Sequence, residues 1–416
     1  MKKSFSFQKV FTKRAKNSIL YVADQNILLK SVIVLLLVIR MKGEAMKVLI
    51  LTCKTGQGHN SSAAAIKQSF DARGIECDVA DNVSFMSKLG SKIMDKAFTG
   101  IYLHMPKFFD KGYGKVNFKI LGKSSADMFA KTLLTFSKKL RRHIENEGYT
   151  HIICVHLLSA VMISAMNEKK PLGVKTSFLS TDYTMLPFIE TTKLDQYFMP
   201  HRDLTDLYTE MGLPLASLVD TGIPVRSQFL EYSKDKGEAR RELDIPVDSK
   251  VVFIMGGSMG CGPIEELVSS VAKVCGDDLR ILVSCGTNDK LLHSLSKLHD
   301  ERITPFRYSD NIPGIMTASD VFVTKPGGVS ITEAGVMAMP TVLLNAIGGC
   351  ETPNFNFFTS HGFAEGAKDV ADAARICSEL LNSPERCEEI RSRLKADFSR
   401  NSADKIAEAV ISAVSV

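Results

Sequence analysis

KVLILTCKTGQGHNSSAAAIKQSFDARG, residues 47–74, decides the fold. Its opening run, 47–53, is short and almost continuously apolar, the pattern of a strand buried on both faces. TGQGHNSS follows, and the apolar positions after it fall at helical spacing. Strand, glycine-rich turn and helix in direct succession open a parallel α/β sheet.

Working outward, strands are expected over 75–80, 151–155 and 175–179, with a basic helical region over about 84–146 and a helix near 201–211. VDTGIPV, 219–225, reads as a Gly/Pro connector. The pattern then restarts with a strand at 251–255, the loop GGSMGCGP, a helix over 264–274 and a strand over 280–285. A helix through 291–299, a strand at 303–308 and a short helix come next. They lead to a strand at 321–324, the loop KPGG, a helix over 329–338, a strand at 341–344 and closing helices. This predicts an α/β protein of two Rossmann-like domains facing across a cleft, because ligands of such sheets sit beyond the carboxyl ends of the strands. The expected divisions are an extension over 1–45, domains over 46–221 and 222–385, and closing helices over 386–416.

At 416 residues, with 45% hydrophobic and 24% charged residues, the chain can bury two cores. A mean hydropathy of +0.03 excludes a polytopic membrane protein. The nine cysteines include no C-x-x-C pair and read as buried thiols of a reducing compartment. Charge is segregated: residues 1–45 hold nine Lys/Arg against Asp24 and Glu44, and Lys88 to Arg142 holds thirteen against Asp95, Asp110 and Asp127. A basic block in an otherwise acidic chain points to a local anionic partner surface. SVIVLLLVI, 31–39, is too short to span a bilayer and is followed by no A-x-A cleavage site, so 1–45 reads as an upstream extension or an amphipathic arm.

Four features carry chemistry. His59 follows Gly58 between strand and helix, where a bulky imidazole takes the space a pyrophosphate would need and suits a general base near neutral pH. A dinucleotide site using Asp78 or Asp81 competes for the same loop. Gly256-Gly257-Ser258-Met259-Gly260 and Lys325-Pro326-Gly327-Gly328 are strand-to-helix turns whose bare backbone suits a diphosphate at a helix start. Glu333, six residues beyond Gly327, can accept hydrogen bonds from both hydroxyls of a ribose. Glu351 and Asn354, in the loop GGCETPN, offer a carboxylate and an amide to sugar hydroxyls. His151 and His156 are expected on opposite faces, and Glu265 and Glu266 diverge on a helix, so neither pair forms a site.

TGQGHNSSAAAI, TDYTMLP (181–187), TGIPV, GGSMG, KPGGVSITEAG and GGCETPN, in that order, resemble the monogalactosyldiacylglycerol synthases and the related processive diacylglycerol glucosyltransferases. These are similar in turn to the N-acetylglucosaminyltransferase that completes the peptidoglycan lipid precursor. The resemblance covers Met46 to the C-terminus. It implies an inverting GT-B glycosyltransferase that moves glucose or galactose from a UDP-hexose to diacylglycerol or a related lipid. His59 would then be the base, with Gly58, Asp182 and Tyr183 on the acceptor. Gly257, Ser258, Gly327 and Gly328 would face the diphosphate, Glu333 the ribose, Glu351 and Asn354 the sugar, and the backbone near Ser309 the uracil. The last pair of helices, over 386–416, would cross back to the first domain, and no metal and no cofactor are expected. Three positions depart from the family pattern: Gln57 replaces a glycine, Cys350 a glutamine before Glu351, and Leu186 a histidine before Pro187.

The implied acceptor agrees with the Lys88 to Arg142 block, where Phe98, Tyr102, Phe108, Phe109, Tyr113, Phe118, Phe129 and Phe136 are interleaved with cations, as an anionic membrane surface requires. No nucleic-acid motif accompanies it. The expected location is cytoplasmic, peripheral on the inner face of the cell membrane. Two competing readings are a sugar-nucleotide epimerase of similar build and a catalytically silent nucleotide- or lipid-binding protein.

Overall fold

The computed structural model describes residues 46–53, 57–86, 122–344, 351–398 and 401–414. The 1–45 extension and the 88–121 part of the basic block lie outside the described residues. So do Thr55, Gly56, Gly348, Gly349 and Cys350.

Two parallel six-stranded sheets form within the unit Lys47–Val414. The first comprises β1 (Lys47–Thr52), β2 (Glu76–Asp81), β3 (His151–Cys154), β4 (Lys175–Leu179), β5 (Gln196–Met199) and β6 (Leu218–Asp220), in the order β2-β1-β3-β4-β5-β6. The second comprises β7 (Lys250–Met255), β8 (Leu279–Ser284), β9 (Ile303–Phe306), β10 (Val321–Thr324), β11 (Thr341–Leu344) and β12 (Glu365–Ala367), in the order β12-β11-β10-β7-β8-β9. All pairings are parallel, so each strand returns through a crossover, mostly helical. Val48–Leu51 and Val251–Ile254 are wholly buried, as strands covered on both faces must be. The two Rossmann-like sheets expected from the strand–turn–helix pattern are found.

Topology selects where ligands go. The strand order reverses at β1/β3 in the first sheet and at β7/β10 in the second. The loops leaving the carboxyl ends of those strands lead to His59, His156, Gly257 and Lys325 in turn. Such reversals open the crevice in which doubly wound sheets bind ligands.

The sequence pattern missed β5, β6 and β12, and the connector read at 219–225 begins inside β6. The family resemblance implies that both final helices cross back. Pro384–Asp397 instead stays with the second sheet, burying Cys387, Ile390 and Leu394 in its core, and only Ser402–Val414 crosses to pack on the helix Gln57–Ala72. There Asp404 accepts from the Ser69 hydroxyl at 2.6 Å and pairs with Arg73 at 2.8 Å.

Candidate active site

His59 stands in the first turn of Gln57–Ala72, whose start is tied to the end of β1 by the Thr52 hydroxyl donating to Asn60 Oδ1 at 2.8 Å. The half-buried ring has its Nδ1 3.2 Å from Thr181 Oγ1, and it meets His156 edge to face at 4.8 Å between centroids. Burial lowers its pKa below 6.5, opposed by the negative charge of Asp182 and a hydrogen bond with the Val155 backbone. The imidazole is therefore neutral at pH 7 and able to accept a proton. His156, absent from the sequence reading of the site, caps the helix Leu157–Lys169: its Nδ1 accepts from Leu158 N at 3.1 Å, which places its proton on Nε2. His151 is turned to Ser177 at 3.0 Å, so the two histidines are separate, as their spacing predicts.

The carboxylates of the competing dinucleotide reading are otherwise engaged. Asp81 Oδ1 accepts from Val83 N at 3.0 Å, and Asp78 Oδ2 accepts from the Tyr149 hydroxyl at 2.8 Å.

The 181–183 loop joins the two sheets. A Cβ placed on Gly328 would come within 2.0 Å of the Thr181 carbonyl oxygen, so only glycine permits this approach. On the same join, a Cβ on Gly58 would lie 3.2 Å from Val329 Cγ2. Asn354, fully buried, accepts from Tyr183 N at 2.6 Å and donates to Asp182 Oδ1 at 2.8 Å and to Pro326 O at 3.0 Å. The GGCETPN loop of the sequence reading is in part a helix, Glu351–Ser360, which puts Glu351 and Asn354 three residues apart on one face of its first turn.

This geometry corrects two assignments. Tyr183 is 2% exposed, stacks on Phe357 at 4.9 Å and pairs with the Thr332 hydroxyl at 2.8 Å; it sits in the core of the second sheet. It plugs the join and cannot reach an acceptor there. Asn354 is likewise spent on the join, not on a sugar.

In the second half, Gly257 (φ 74°) turns the chain after β7 and leaves room for Lys325, whose Cε would be 2.7 Å from a Cβ at that position. Ser258 is half-buried beside it. Gly327 forms the N-cap of Gly328–Val336. Glu333 is buried on that helix with Arg226 Nη2 3.9 Å from its Oε1. Burial pushes its pKa up to about 7, against the pull of Arg226. Arg226 also donates to the Tyr308 hydroxyl at 3.3 Å, and Gln228 donates to Asp310 O at 3.0 Å, so the 308–310 loop is drawn toward Glu333. The Ser309 hydroxyl accepts from Asn311 N at 3.1 Å, inside its own turn.

Four donor candidates thus form two neighbourhoods: Gly257, Gly327 and Glu351 around Lys325, and Glu333 beside Arg226. Sequence reasoning missed His156, Arg226, Thr181 and the part played by Lys325. Among the described residues, no group of three or more His, Cys, Asp and Glu is placed to hold a metal. No helix of the described residues is long and apolar enough to cross a membrane. In the described part of the basic block, Lys131, Lys138, Lys139 and Arg142 are exposed, whereas Phe129 and Phe136 pack on the core and Arg141 donates to Met166 O at 2.7 Å and Lys170 O at 2.9 Å.

Residues 59–225 match the monogalactosyldiacylglycerol (MGDG) synthase family model, and 251–346 match the glycosyltransferase family 28 C-terminal domain. A processive diacylglycerol beta-glucosyltransferase from Bacillus cereus (strain B4264) is 25% identical over 374 residues, spanning 88% of this chain and 93% of that protein. One from Bacillus cytotoxicus is 24% identical over the same shares. Among solved structures, MurG from Acinetobacter baumannii aligns with a TM-score of 0.57 at 12% identity, covering 88% of this chain and 99% of MurG. A UDP-GlcNAc 2-epimerase from Neisseria meningitidis, bound to UDP-GlcNAc, aligns with a TM-score of 0.58 at 13% identity, covering 88% and 100%. At such identities the structural likeness establishes the shared fold alone.

Fold and matched segments together define a glycosyltransferase of GT-B architecture. Its sequence relatives are the monogalactosyldiacylglycerol synthases and the processive diacylglycerol glucosyltransferases, with the synthase segment in the first half and the family 28 segment in the second.

Proposed function

We propose that this enzyme transfers a hexose from a UDP-sugar to diacylglycerol or a related lipid, with inversion, at a membrane surface. The observation that carries the reading is the meeting of His59, through Thr181, with the Gly327–Gly328 turn. A neutral base near a turn whose backbone donors and helix start suit a diphosphate supports that reading.

The acceptor hydroxyl gives its proton to His59 as its oxygen bonds to the anomeric carbon, and the bond from that carbon to the β-phosphate oxygen breaks with its electron pair retained by UDP. General-base assistance of this kind contributes roughly 10²- to 10⁴-fold. Gly58 and Asp182 flank the acceptor, Gly257, Ser258, Gly327 and Gly328 the diphosphate, Glu333 the ribose, Glu351 the sugar and the backbone at Ser309 the uracil. No step in this scheme uses a metal ion. The relatives' names support a diacylglycerol acceptor. The exposed Lys131, Lys138, Lys139 and Arg142 support contact with anionic head groups on the inner face of the cell membrane, each cation contributing about 1 kcal/mol near such a surface.

The fold also accommodates the epimerase reading, since an epimerase aligns equally well. Incubating the protein with radiolabelled UDP-glucose, UDP-galactose or UDP-GlcNAc and mixed vesicles of diacylglycerol and anionic lipid separates the two. Label extracted into organic solvent supports the transferase. Label left in water as a changed sugar nucleotide supports the epimerase, and unchanged donor supports a binding protein.

A further inference from the structure

Lys325 occupies the space between the two glycine turns of the second sheet. Its Nζ is 4.0 Å from where a Cβ on Gly327 would stand, and its Cε is 2.7 Å from where a Cβ on Gly257 would stand. Those turns follow β10 and β7, the strands at which the sheet order reverses. The ammonium forms a close ion pair with Glu351 through Oε1. Glu351 is 6% exposed, and its other oxygen, Oε2, is buried with no hydrogen-bond partner. A buried carboxylate oxygen left unpaired is costly and marks a place where a donor group is missing.

We propose that Lys325 is the cation that receives the diphosphate of the donor, and that Glu351 holds it in position until the donor arrives and then turns to a hydroxyl of the transferred sugar. The inference rests on the UDP-sugar reading and adds to it a named charge and an exchange of partners. When the bond from the anomeric carbon to the β-phosphate oxygen breaks, its electron pair stays on that oxygen and UDP gains one negative charge. A lysine already held between the glycine turns meets that charge without reorganisation, which is how fixed cations lower such barriers. Its side chain is 27% exposed, so its field is only partly screened by water. Arg226, the other cation of the site, is directed to Glu333 and Tyr308. The exchange also couples donor recognition to leaving-group stabilisation. A sugar whose hydroxyl satisfies Glu351 frees Lys325, and one that does not leaves the two paired.

The test uses the full chain and Lys325→Met, Lys325→Arg and Glu351→Gln, with dissociation constants measured separately for UDP and uridine and melting temperatures as a folding check. Lys325→Met is expected to weaken UDP by about tenfold or more, the loss of one charge-assisted contact, with uridine unchanged within about twofold. Lys325→Arg should recover most of that loss. Glu351→Gln should bind UDP as tightly as the unaltered protein or more tightly, while raising KM for the UDP-sugar. UDP binding by Lys325→Met within twofold of the unaltered protein overturns the proposal. So does a parallel fall in UDP and uridine affinity, because that reports a collapsed site and not a lost charge. If the unaltered protein binds neither ligand, the donor reading itself fails and the proposal falls with it, a result read from a different sample.

Discussion

Nδ1 of His59 lies 3.2 Å from Oγ1 of Thr181, and the backbone of that same threonine receives Gly328 from the other sheet. The base is thus anchored to the element that closes against the donor half. Because burial lowers the His59 pKa, the ring stays neutral from above 6.5 to some way below it. A general base is lost when it is protonated, so kcat at saturating donor should hold through pH 6.5 and fall only on further acidification. His59→Ala should lose about 10²- to 10⁴-fold in kcat while UDP affinity is unchanged. Turnover within a few-fold of the unaltered enzyme would refute the assignment.

Glu333 titrates in the opposite sense. Its folded pKa is about 7 against 4.5 in the unfolded chain, so the folded state binds the extra proton between these values. Its contribution to stability is therefore fully present below pH 4.5 and is lost as pH rises through 7. Glu333→Gln should be the more stable protein at pH 8, by up to about 3 kcal/mol, and lose that advantage by pH 5. Ribose hydroxyls donate best to the ionised carboxylate. Uridine should accordingly bind more tightly to the unaltered protein as pH rises through about 7, and Glu333→Gln should show a weak, flat profile by calorimetry.

Gly328→Ala and Gly58→Ala should differ sharply. The new methyl at 328 meets three backbone positions, Thr181 O at 2.0 Å, Thr181 C at 3.0 Å and Asp182 Cα at 3.1 Å, none of which can rotate aside. Overpacking of that kind costs about 1–3 kcal/mol or more, and here it also displaces the loop that holds His59. At 58 the first obstacle is a valine methyl at 3.2 Å, and the gain in helix propensity, up to about 1 kcal/mol, offsets the crowding. Thermal denaturation should show a clear fall for Gly328→Ala and little change for Gly58→Ala. Equal melting temperatures would mean that the join does not depend on this contact.

What was legible in the sequence is what is local and periodic. KVLILT, KVVFIM and TVLL are continuous apolar runs because both faces of those strands are covered, and Gly257, at φ 74°, marks the turn after the second. QYFM, LVD and EGA are three or four residues long, below the length at which alternation can be recognised, so β5, β6 and β12 went unread. The site was legible as a set of loops but not as a set of contacts. Tyr183 lies in a motif of the first half and buries its ring in the core of the second, a choice that spacing along the chain does not encode. Lys325 and Glu351 are 26 residues apart and meet only because β10 and β11 are neighbours. His156 reads as the end of the strand that carries His151, whereas that strand ends at Cys154 and the next turn brings His156 to His59.

Asn354 gives the sharpest test of the join. Its amide nitrogen donates to Asp182 Oδ1 at 2.8 Å and Pro326 O at 3.0 Å, so Asn354→Asp would set a carboxylate against a carboxylate and a carbonyl with no water between them to screen the charge. Breaking a fully buried network in this way costs about 2–4 kcal/mol. The new Asp would have its folded pKa raised by burial and by Asp182, because both disfavour the charged form. Once protonated, it regains an O–H to donate to Asp182. The sign follows: the variant's deficit should be greatest at pH 8, where the new group is ionised in both states or forced neutral at a cost in the folded one, and should shrink at pH 5 as protonation in the folded state becomes cheap. Melting temperatures of the two proteins compared at pH 5 and pH 8 decide it. A gap that stays constant would mean that the Asn354 nitrogen is not the donor to Asp182.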